Sequence, residues 1–571
     1  MLPSTLLGQG QQVLVMRRAM PTAEASDELV APAAHGSLCP YSLSRVAGMI
    51  FTSVPPGSTR QPTRQRWLAL AVCLVAGFMT LLDVTIVNVA LPSIQRGLHA
   101  SCGDMQWVLS GYALTFGLVL APAGRLGDAR SRRNVFVAGL ALFTFASAAA
   151  GLSPSPMCLI VARLLQGAAG GALNPQTAGL IQDLFQGAER GRAFGLLGAT
   201  VGTSAACGGL LAGAIIALTG GADAWRWIFY VNVPVGLATW PLAYRFIPAV
   251  RPGAQPRNRQ NLDPIGVLLL GAGIVVLLLP LTEQQQWRGS MKWLLLPASA
   301  VLIAAFVRWE RRYGRHHQPV VDLSLFRLRS YTCGSTIALF YSAGFTAIYF
   351  VLTLYLQNGL QYSATLTGLF IAPLALGSAI SAAIGGRLVT KIGRPLVATG
   401  LGLVAVGLAG TDVVSHVAPG RHAALAAVLP LLVVGIGGGL VISPNQTHTL
   451  AEVPAAEGGS AAGIMQTGQR IGSAIGMTTA GSVFFPELTA THGDYLRAFQ
   501  GGLMIVIALI AIALATALFD MTAERRPPLW RPPLMRWPAS LPRERKVRTR
   551  NQRPAVNGID RDRGLGDGWC H

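Results

Sequence analysis

Long apolar segments recur along the chain and constrain its fold more than any other feature. A helix needs about 20 mostly apolar residues to cross a bilayer. Fourteen such segments begin near Trp67, Met105, Asn134, Met157, Arg192, Trp225, Pro264, Lys292, Tyr331, Thr365, Pro395, His422, Ser460 and Gln500. Only 12% of the 571 residues are charged, about half of the fraction that is usual in soluble domains. The sequence therefore predicts an all-α integral membrane protein with fourteen transmembrane helices.

Basic residues lie mainly in alternate loops. The loops that this count assigns to one side contain the arginine-bearing stretches 125–133, 190–192, 245–259, 308–329 and 387–394. The loops assigned to the other side hold few basic residues, such as Arg96, Arg226 and Arg421. Cytoplasmic loops are enriched in lysine and arginine, so both termini are expected in the cytoplasm. The net charge of +21 then favours contact with the lipid bilayer over nucleic-acid binding.

Two parts of the chain repeat the same pattern. The stretch "GRLGDARSRR" begins at Gly124 after the second segment, and "GRLVTKIGRP" begins at Gly386 after the tenth. Glycines of the fifth and thirteenth segments also match at a constant offset, with Gly191, Gly195, Gly208 and Gly213 corresponding to Gly459, Gly463, Gly476 and Gly481. The repeats predict two six-helix bundles related as parallel copies, with segments seven and eight inserted as a hairpin. Transporters built from repeats bind substrate between the halves.

The expected division of the chain has five parts. They are a cytoplasmic, disordered N-terminal arm (1–66, with Met49 as an alternative start), the N-terminal bundle (67–250), the inserted helices with their flanking loops (251–325), the C-terminal bundle (326–520) and a basic, disordered cytoplasmic tail (521–571).

Five motifs occur in order along the chain. They are "LDVTIVNVALP" (Leu82–Pro92), "GRLGDARSRR" (Gly124–Arg133), "RLLQGAAGGALNPQ" (Arg163–Gln176), "WRWIFYVNVPVG" (Trp225–Gly236) and "LDPIGVLLL" (Leu262–Leu270). Together they resemble the signatures of the fourteen-span drug:proton antiporter family of the major facilitator superfamily, over roughly Trp67 to Asp520. The resemblance implies a monomeric exporter of small, often amphipathic molecules in exchange for protons. It further implies alternating access, no cofactor and a bacterial inner membrane.

Ionisable side chains inside spans are costly, at ~2.5–3.5 kcal/mol each on the insertion scale, and are functional candidates. The segment interiors contain Asp83, Arg163 and Arg470. At 1.5 Å per residue, Asp83 lies about 12 Å and Arg163 about 9 Å deep from the same side. The resemblance links Arg163 to proton transfer. We therefore expect Asp83 and Arg163 to couple transport to protons, with a purely structural ion pair as the alternative.

Arg470 is expected near the middle of the membrane, about 15 Å from the cytoplasmic side. Gln466 lies one helical turn before it, and Gln469 is adjacent. A cation and amides that face a central cavity can bind an anionic or polar substrate, so these three residues and Gln166 are the expected substrate cavity. Hydrogen bonding between helices, or extension of the arginine to the interface, is the alternative for Arg470.

The repeated loop motif supplies the expected gate. Its members are Gly124, Asp128, Arg132 and Arg133 in the first copy, and Gly386 and Arg394 in the second. A charge-assisted hydrogen bond between the bundles would lock one conformation. Thr390 stands where the second copy would have its acid, so only the first copy keeps the full charge set. His448 is interpreted as a loop residue between segments twelve and thirteen.

The fifth segment carries Gly198, Gly202, Gly209 and Gly213 at spacings that place them on one helix face. Such a face allows another helix to approach closely, and the pattern resembles the antiporter motif of the family. Gly209 stands where that motif has proline and Ala212 where it has glycine, so the usual proline kink is not expected here.

Three other classes of function compete with a multidrug or antibiotic exporter. The first is a dedicated exporter of one endogenous metabolite, peptide or siderophore. The second is a membrane sensor without transport activity. The third, an enzyme, is disfavoured because no HExxH, no nucleophile elbow and no Gly-Lys pair occurs in the sequence. The seven cysteines are scattered without a CxxC pair, so no metal site is expected either.

Overall fold

The computed structural model describes residues 62–524, apart from 222, 250–262, 283–289, 316, 318 and 418–420. Every regular element in this part of the chain is a helix. The N-terminal arm up to residue 61, the Met49 start and the tail from residue 525 onward lie outside the described residues.

Fifteen α-helices follow one another along the described chain. The first half contains α1 (Thr63–Leu98), α2 (Cys102–Ala129), α3 (Arg132–Gly151), α4 (Pro156–Leu184), α5 (Gly187–Thr219), α6 (Arg226–Tyr230) and α7 (Asn232–Phe246). The hairpin contains α8 (Pro264–Thr282) and α9 (Leu295–Tyr313), with a 3₁₀ turn at Ser290–Leu294. After a 3₁₀ turn at Leu323–Arg327, the second half contains α10 (Arg329–Leu354), α11 (Ala364–Ile392), α12 (Pro395–Val417), α13 (Arg421–Thr449), α14 (Gly458–Ala490) and α15 (Tyr495–Glu524). A π-turn at Tyr355–Gly359 extends α10, and a 3₁₀ turn at Ala455–Glu457 precedes α14.

A helix begins close to each of the fourteen expected segment starts, but the count of fourteen spans is not confirmed. Eleven of the described helices are long and apolar enough to cross a membrane. The sixth segment is divided into the short helices α6 and α7, and α8 is apolar but short. α14 is long enough, but it is not among the eleven. Its glycines, hydroxyl residues and Arg470 lower its hydropathy.

Serine side chains start several of these helices. Ser101 begins α2 with a reciprocal capping box, in which its Oγ accepts from the Asp104 amide at 3.1 Å and its own amide donates to Asp104 at 2.9 Å. Ser155 caps α4, where Pro156 occupies the first turn, a position at which proline's missing N–H costs nothing. The sequence thus fixes where the apolar helices start.

Two seams join the first and second halves. In one seam α2 packs against α14, and in the other α5 packs against α11. A Cβ added to Gly459 would lie 3.0 Å from the Gly124 carbonyl oxygen, and one added to Gly191 would lie 2.6 Å from that of Gly386. The loop-motif glycine of each half therefore meets the matched helix glycine of the other half. Such reciprocal contacts are what two related repeats produce when they face each other.

The two halves meet at one end and separate at the other. Along α5, a Cβ at Gly202 would lie 2.7 Å from the Ala379 backbone nitrogen of α11, whereas one at Gly213 would have no atom within 4 Å. These two glycines are three helical turns apart on the same face. The contacts lie at the end that carries Gly124–Arg133 and Gly386–Arg394, which we call the loop-motif end.

The α8–α9 hairpin lies against the α2–α14 seam. Ile274 and Leu278 of α8 form an apolar cluster with Ala474 of α14. Leu118 of α2 fills the space beside Gly271 of α8, where a Cβ would approach it to 2.7 Å. The inserted helices therefore touch both sides of one seam.

Candidate functional site

Asp83 lies at the centre of a buried polar cluster in the first half. Its carboxylate forms an ion pair with the Arg163 guanidinium, and it accepts hydrogen bonds from Gln166 Nε2 at 2.8 Å and Asn232 Nδ2 at 2.9 Å. Asp83 and Gln166 have no exposed surface, and Arg163 and Asn232 are each 1% exposed. The cluster brings together α1, α4 and α7. The two residues that were expected at similar depth are thus in direct contact.

Arg163 has further partners that hold its planar group in place. Its Nε donates to the Val108 carbonyl at 3.1 Å, and its Nη1 donates to Gln166 Oε1 at 2.8 Å. The guanidinium lies 4.2 Å from the centre of the Tyr112 ring. Buried charges are tolerated when they are paired and hydrogen-bonded. Asp83 thus supplies the negative charge of this cluster, while Val108, Gln166 and Tyr112 hold the guanidinium beside it.

Three members of this cluster are not among the expected site residues. Asn232 belongs to the motif "WRWIFYVNVPVG", and it lies where α6 gives way to α7. Ser147 accepts from Gln166 Nε2 at 2.8 Å, and Tyr112 donates its hydroxyl to the Thr80 carbonyl at 3.2 Å. The motif position of Asn232 could have indicated it. Ser147 and Tyr112 are ordinary residues of a membrane helix, and only helix packing directs them to this cluster.

Of the expected cavity residues, Gln166 belongs to the Asp83 cluster, whereas Arg470 lies between the halves. Arg470 is partly exposed, and its guanidinium lies 4.4 Å from the centre of the Phe116 ring of α2. Gln466 and Gln469 are also partly exposed, and the described residues provide no hydrogen-bond partner for the buried Gln466 Oε1. Arg470 therefore bridges the α2–α14 seam through an aromatic ring.

The first copy of the loop motif makes polar contacts across the same seam. Asp128 accepts from the backbone amides of Gly459 at 3.2 Å and Ser460 at 2.7 Å, and from the Ser460 hydroxyl at 2.8 Å. These amides belong to the first turn of α14, where the helix dipole favours an anion. Arg132 pairs with Asp128 and with Asp183, and it donates to the Ala455 carbonyl of the second half at 2.8 Å. The carboxylate is thus held by donors from both halves.

The second copy of the motif makes different contacts. Gly386 packs against Gly191 and Gly195 of α5, while Arg394 pairs with Asp520 of α15 at 2.8 Å. Arg394 therefore binds within its own half, because Thr390 offers no carboxylate. Arg133 of the first copy lies over the Tyr244 ring at 4.6 Å, also within its own half.

The expected loop position of His448 is wrong. This residue lies in the last turn of α13, which continues to Thr449. Together with Asn445, Arg394 and Asp520 it borders a small cavity of about 20 Å³ in the second half. Pro444 does not end α13, since helices in membranes tolerate proline when neighbouring groups satisfy the freed backbone.

The four glycines of α5 have different neighbours. A Cβ at Gly198 would lie 3.0 Å from the Ala382 Cβ, and one at Gly202 would lie 2.7 Å from the backbone of Ala379. A Cβ at Gly209 would face Val89 of α1 at 3.8 Å, and one at Gly213 would have no neighbour within 4 Å. Gly198 and Gly202 thus take part in the seam with α11, while Gly209 and Gly213 lie beyond the point where the helices separate.

Two buried carboxylates lie at one end of the hairpin, and neither is among the ionisable residues that the sequence places inside the spans. Glu310 of α9 and Asp263, which precedes α8, are each 2% exposed. Asp263 accepts from the Gly266 amide at 3.0 Å and from Trp309 Nε1 at 2.7 Å, and Glu310 Oε1 accepts from the Val320 amide at 3.1 Å. The end of α9 is rich in arginine, and an acidic residue among arginines is typical of a solvated loop. The sequence therefore gives no sign that Glu310 is buried. In the described part of the chain, no group of three or more His, Cys, Asp or Glu side chains could hold a metal ion.

The chain is similar in sequence to proteins of known family. A sequence model described as Major Facilitator Superfamily matches residues 73–477. The probable actinorhodin transporter of Streptomyces coelicolor is 32% identical over 428 residues, which cover 74% of this chain and 73% of that protein. The puromycin resistance protein pur8 of Streptomyces alboniger is 34% identical over 489 residues, which cover 84% of this chain and 94% of that protein.

Solved structures show the same fold. The human organic anion transporter MFSD10 (TETRAN) superposes with a TM-score of 0.58 at 13% identity, over 80% of this chain and 100% of that chain. The proton:xylose symporter XylE superposes with a TM-score of 0.57 at 15% identity, over 81% of this chain and 96% of that chain. The expectation that the motifs raised is confirmed: this multi-pass membrane protein belongs to the Major Facilitator Superfamily.

Proposed function

We propose that this protein is a proton-coupled secondary active exporter of small amphipathic molecules, drugs and antibiotics among them, which works by alternating access. The observation that carries the proposal is the buried Asp83–Arg163 pair, whose carboxylate is bound by neutral amides and one arginine. An ionisable group of this kind inside a span is a functional candidate. The named relatives include an actinorhodin transporter and a puromycin resistance protein, which supports export as the direction.

The gate supports alternating access in this proposal. The Asp128 contacts to α14 exist while the halves meet at the loop-motif end, and the halves separate at the opposite end. With the positive-inside assignment, this conformation is closed to the cytoplasm and open to the outside. Breaking the Asp128 contacts would allow the opposite conformation. We also propose fourteen spans, cytoplasmic termini, a bacterial inner-membrane location and a monomer.

The test uses inside-out vesicles with an imposed pH gradient and a fluorescent drug as cargo. We expect uptake to stop when an ionophore collapses the gradient. Asp83→Asn should reduce gradient-driven uptake about tenfold or more, because the amide cannot exchange a proton. Asp223→Asn, which neutralises a 72% exposed carboxylate, is the matched control and should transport normally. Uptake that ignores the gradient, or an Asp83→Asn variant equal to the parent at every pH, would refute the proposal.

A dedicated exporter of one endogenous product is the second candidate. It is favoured by relatives that are named for a single product, such as the cephamycin export protein of Amycolatopsis lactamdurans, which is 33% identical over 476 residues. A panel of cationic, neutral and anionic compounds distinguishes the candidates, because a dedicated exporter would transport a single chemical class.

A further inference from the structure

Arg470 carries a positive charge in the middle of α14 without an acidic partner. No described residue forms an ion pair with it or accepts a hydrogen bond from it, and its guanidinium lies on the face of Phe116. Arg132 and Arg163, by contrast, each pair with an aspartate. A cation within a span costs ~2.5–3.5 kcal/mol on the insertion scale and normally has a partner. The missing partner is therefore the feature that requires an explanation.

The position of Arg470 makes it accessible to a molecule between the halves. Its Cβ lies 3.8 Å from the place of a Cβ on Gly117 of α2, so it stands on the seam. Two turns nearer the loop-motif end, α2 and α14 touch, because a Cβ on Gly463 would lie 2.5 Å from the Leu120 carbonyl. Arg470 is partly exposed above this closure, whereas Arg163 is 1% exposed. Arg470 thus lies on the seam, two helical turns beyond the point where α2 and α14 touch.

We propose that Arg470 binds an acidic group of the cargo, and that the exported molecule is an aromatic organic anion, with a carboxylate or an ionised phenol. This inference rests on the proposed export function and names its substrate class. A guanidinium binds carboxylates through two parallel hydrogen bonds. The anion would supply the counter-charge that the protein lacks at this position.

Aromatic side chains near Arg470 indicate the rest of the cargo. Phe116 covers one side of the guanidinium at 4.4 Å. The Phe116 ring in turn stacks on Tyr112 of the same helix, with the ring centres 5.9 Å apart. Rings of this kind favour planar aromatic molecules through offset or edge contacts.

A row of rings connects Arg470 with the Asp83 cluster. Arg163 lies over Tyr112 at 4.2 Å, Tyr112 stacks on Phe116 at 5.9 Å, and Arg470 lies on Phe116. A rearrangement of Arg163 after protonation of Asp83 would therefore shift the ring that positions Arg470. This contact gives the proton a physical means of altering anion binding.

The experiment measures equilibrium binding of two xanthene dyes to the purified full-length protein by fluorescence anisotropy. Fluorescein is an anion and rhodamine 123 a cation on the same ring system. We expect the parent to prefer fluorescein. Arg470→Gln should weaken fluorescein binding about tenfold or more and leave rhodamine 123 unchanged, while Arg470→Lys should retain part of the affinity. Arg497→Gln, which removes an exposed arginine paired with Asp494, is the control and should bind like the parent.

The binding measurement needs no proton gradient, so it separates this inference from the export function. A parent that binds rhodamine 123 in preference, or neither dye, overturns the anion assignment even if gradient-driven export is found. Equal loss of both dyes in Arg470→Gln and Arg470→Lys would assign Arg470 a structural role. If Arg470→Gln loses only fluorescein binding while transport by the parent does not respond to the gradient, the anion site stands and the proton coupling is rejected.

Discussion

Asp83 and Asp128 are both buried aspartates, but different kinds of donor hold them. Asp83 is bound by side chains of its own half, namely Arg163, Gln166 and Asn232. Asp128 is bound by backbone amides of the other half as well as by Arg132. The bonds of Asp83 therefore lie within one half and do not depend on the closed seam. The bonds of Asp128 to the other half, in contrast, exist only in the closed seam.

Asp128→Asn should open the loop-motif end. The amide keeps the size of the carboxylate, but it loses the charge-assisted bonds to Gly459 and Ser460, which are worth about 1.5–3 kcal/mol each. The probe is Ala121→Cys in the seam, introduced into a cysteine-free background. Its labelling by a membrane-impermeant maleimide in inside-out vesicles should rise about tenfold when Asp128→Asn is added. Asp183→Asn is the control, since Asp183 also pairs with Arg132 but within the first half. Equal labelling of the two variants would contradict the lock.

At the scale of elements, the hairpin is tied to its surroundings by its buried acids. Glu310 reaches the amide of Val320, which leads into the second half, and it interacts electrostatically with Asp263 and with Arg125 of the loop motif. Phe306, Val320 and Val321 form an apolar cluster beside it that Ile464 of α14 joins. The hairpin thus contacts α14 and interacts with Arg125 of the proposed gate, in addition to linking the two halves.

Gly266→Ala should destabilise the protein by about 1–3 kcal/mol, the usual range for overpacking. A Cβ at this position would lie 3.0 Å from Glu310 Oε1 and even closer to Asp263 Oδ2, so it would force the two carboxylates apart. Thermal unfolding in detergent, followed by tryptophan fluorescence, measures the effect. The matched control is Gly402→Ala in α12, where a Cβ would meet nothing within 4 Å, and this variant should be at least as stable as the parent. Equal melting temperatures of Gly266→Ala and the parent would show that the two carboxylates do not require a glycine at this position.

At the scale of the whole molecule, the two seams are alike in packing but not in charge. Both depend on glycine contacts between the loop motif of one half and a helix of the other. The α2–α14 seam adds the Asp128 contacts, whereas on the α5–α11 side Arg394 binds Asp520 within its own half. The sequence difference at Thr390 therefore makes the two seams unequal: one seam is held by polar bonds and the other mainly by packing.

Cross-linking the α5–α11 seam should stop transport. A Cβ at Gly198 would lie 3.0 Å from the Ala382 Cβ, close to the separation of about 3.5–4.5 Å in a disulfide. Oxidation of the double variant Gly198→Cys/Ala382→Cys should abolish uptake in vesicles, because the halves could no longer separate at this end, and a reductant should restore it. The two single variants control for the substitutions themselves. An oxidised, fully cross-linked protein that still transports would contradict alternating access through this seam.

Residue type and spacing in the chain were enough to predict the helical membrane class, the repeat and the similar depth of Asp83 and Arg163. These properties depend on the length of apolar segments, on glycine positions and on depth along a helix, all of which can be counted in a sequence. The rotation of each helix about its axis cannot be counted in this way. This rotation is set when side chains from distant segments pack together. It leaves Gly213 without a neighbour and places Arg470 against Phe116, with no acidic partner among the described residues. It also brings Gln166, and Asn232 where α6 gives way to α7, into hydrogen-bond contact with Asp83.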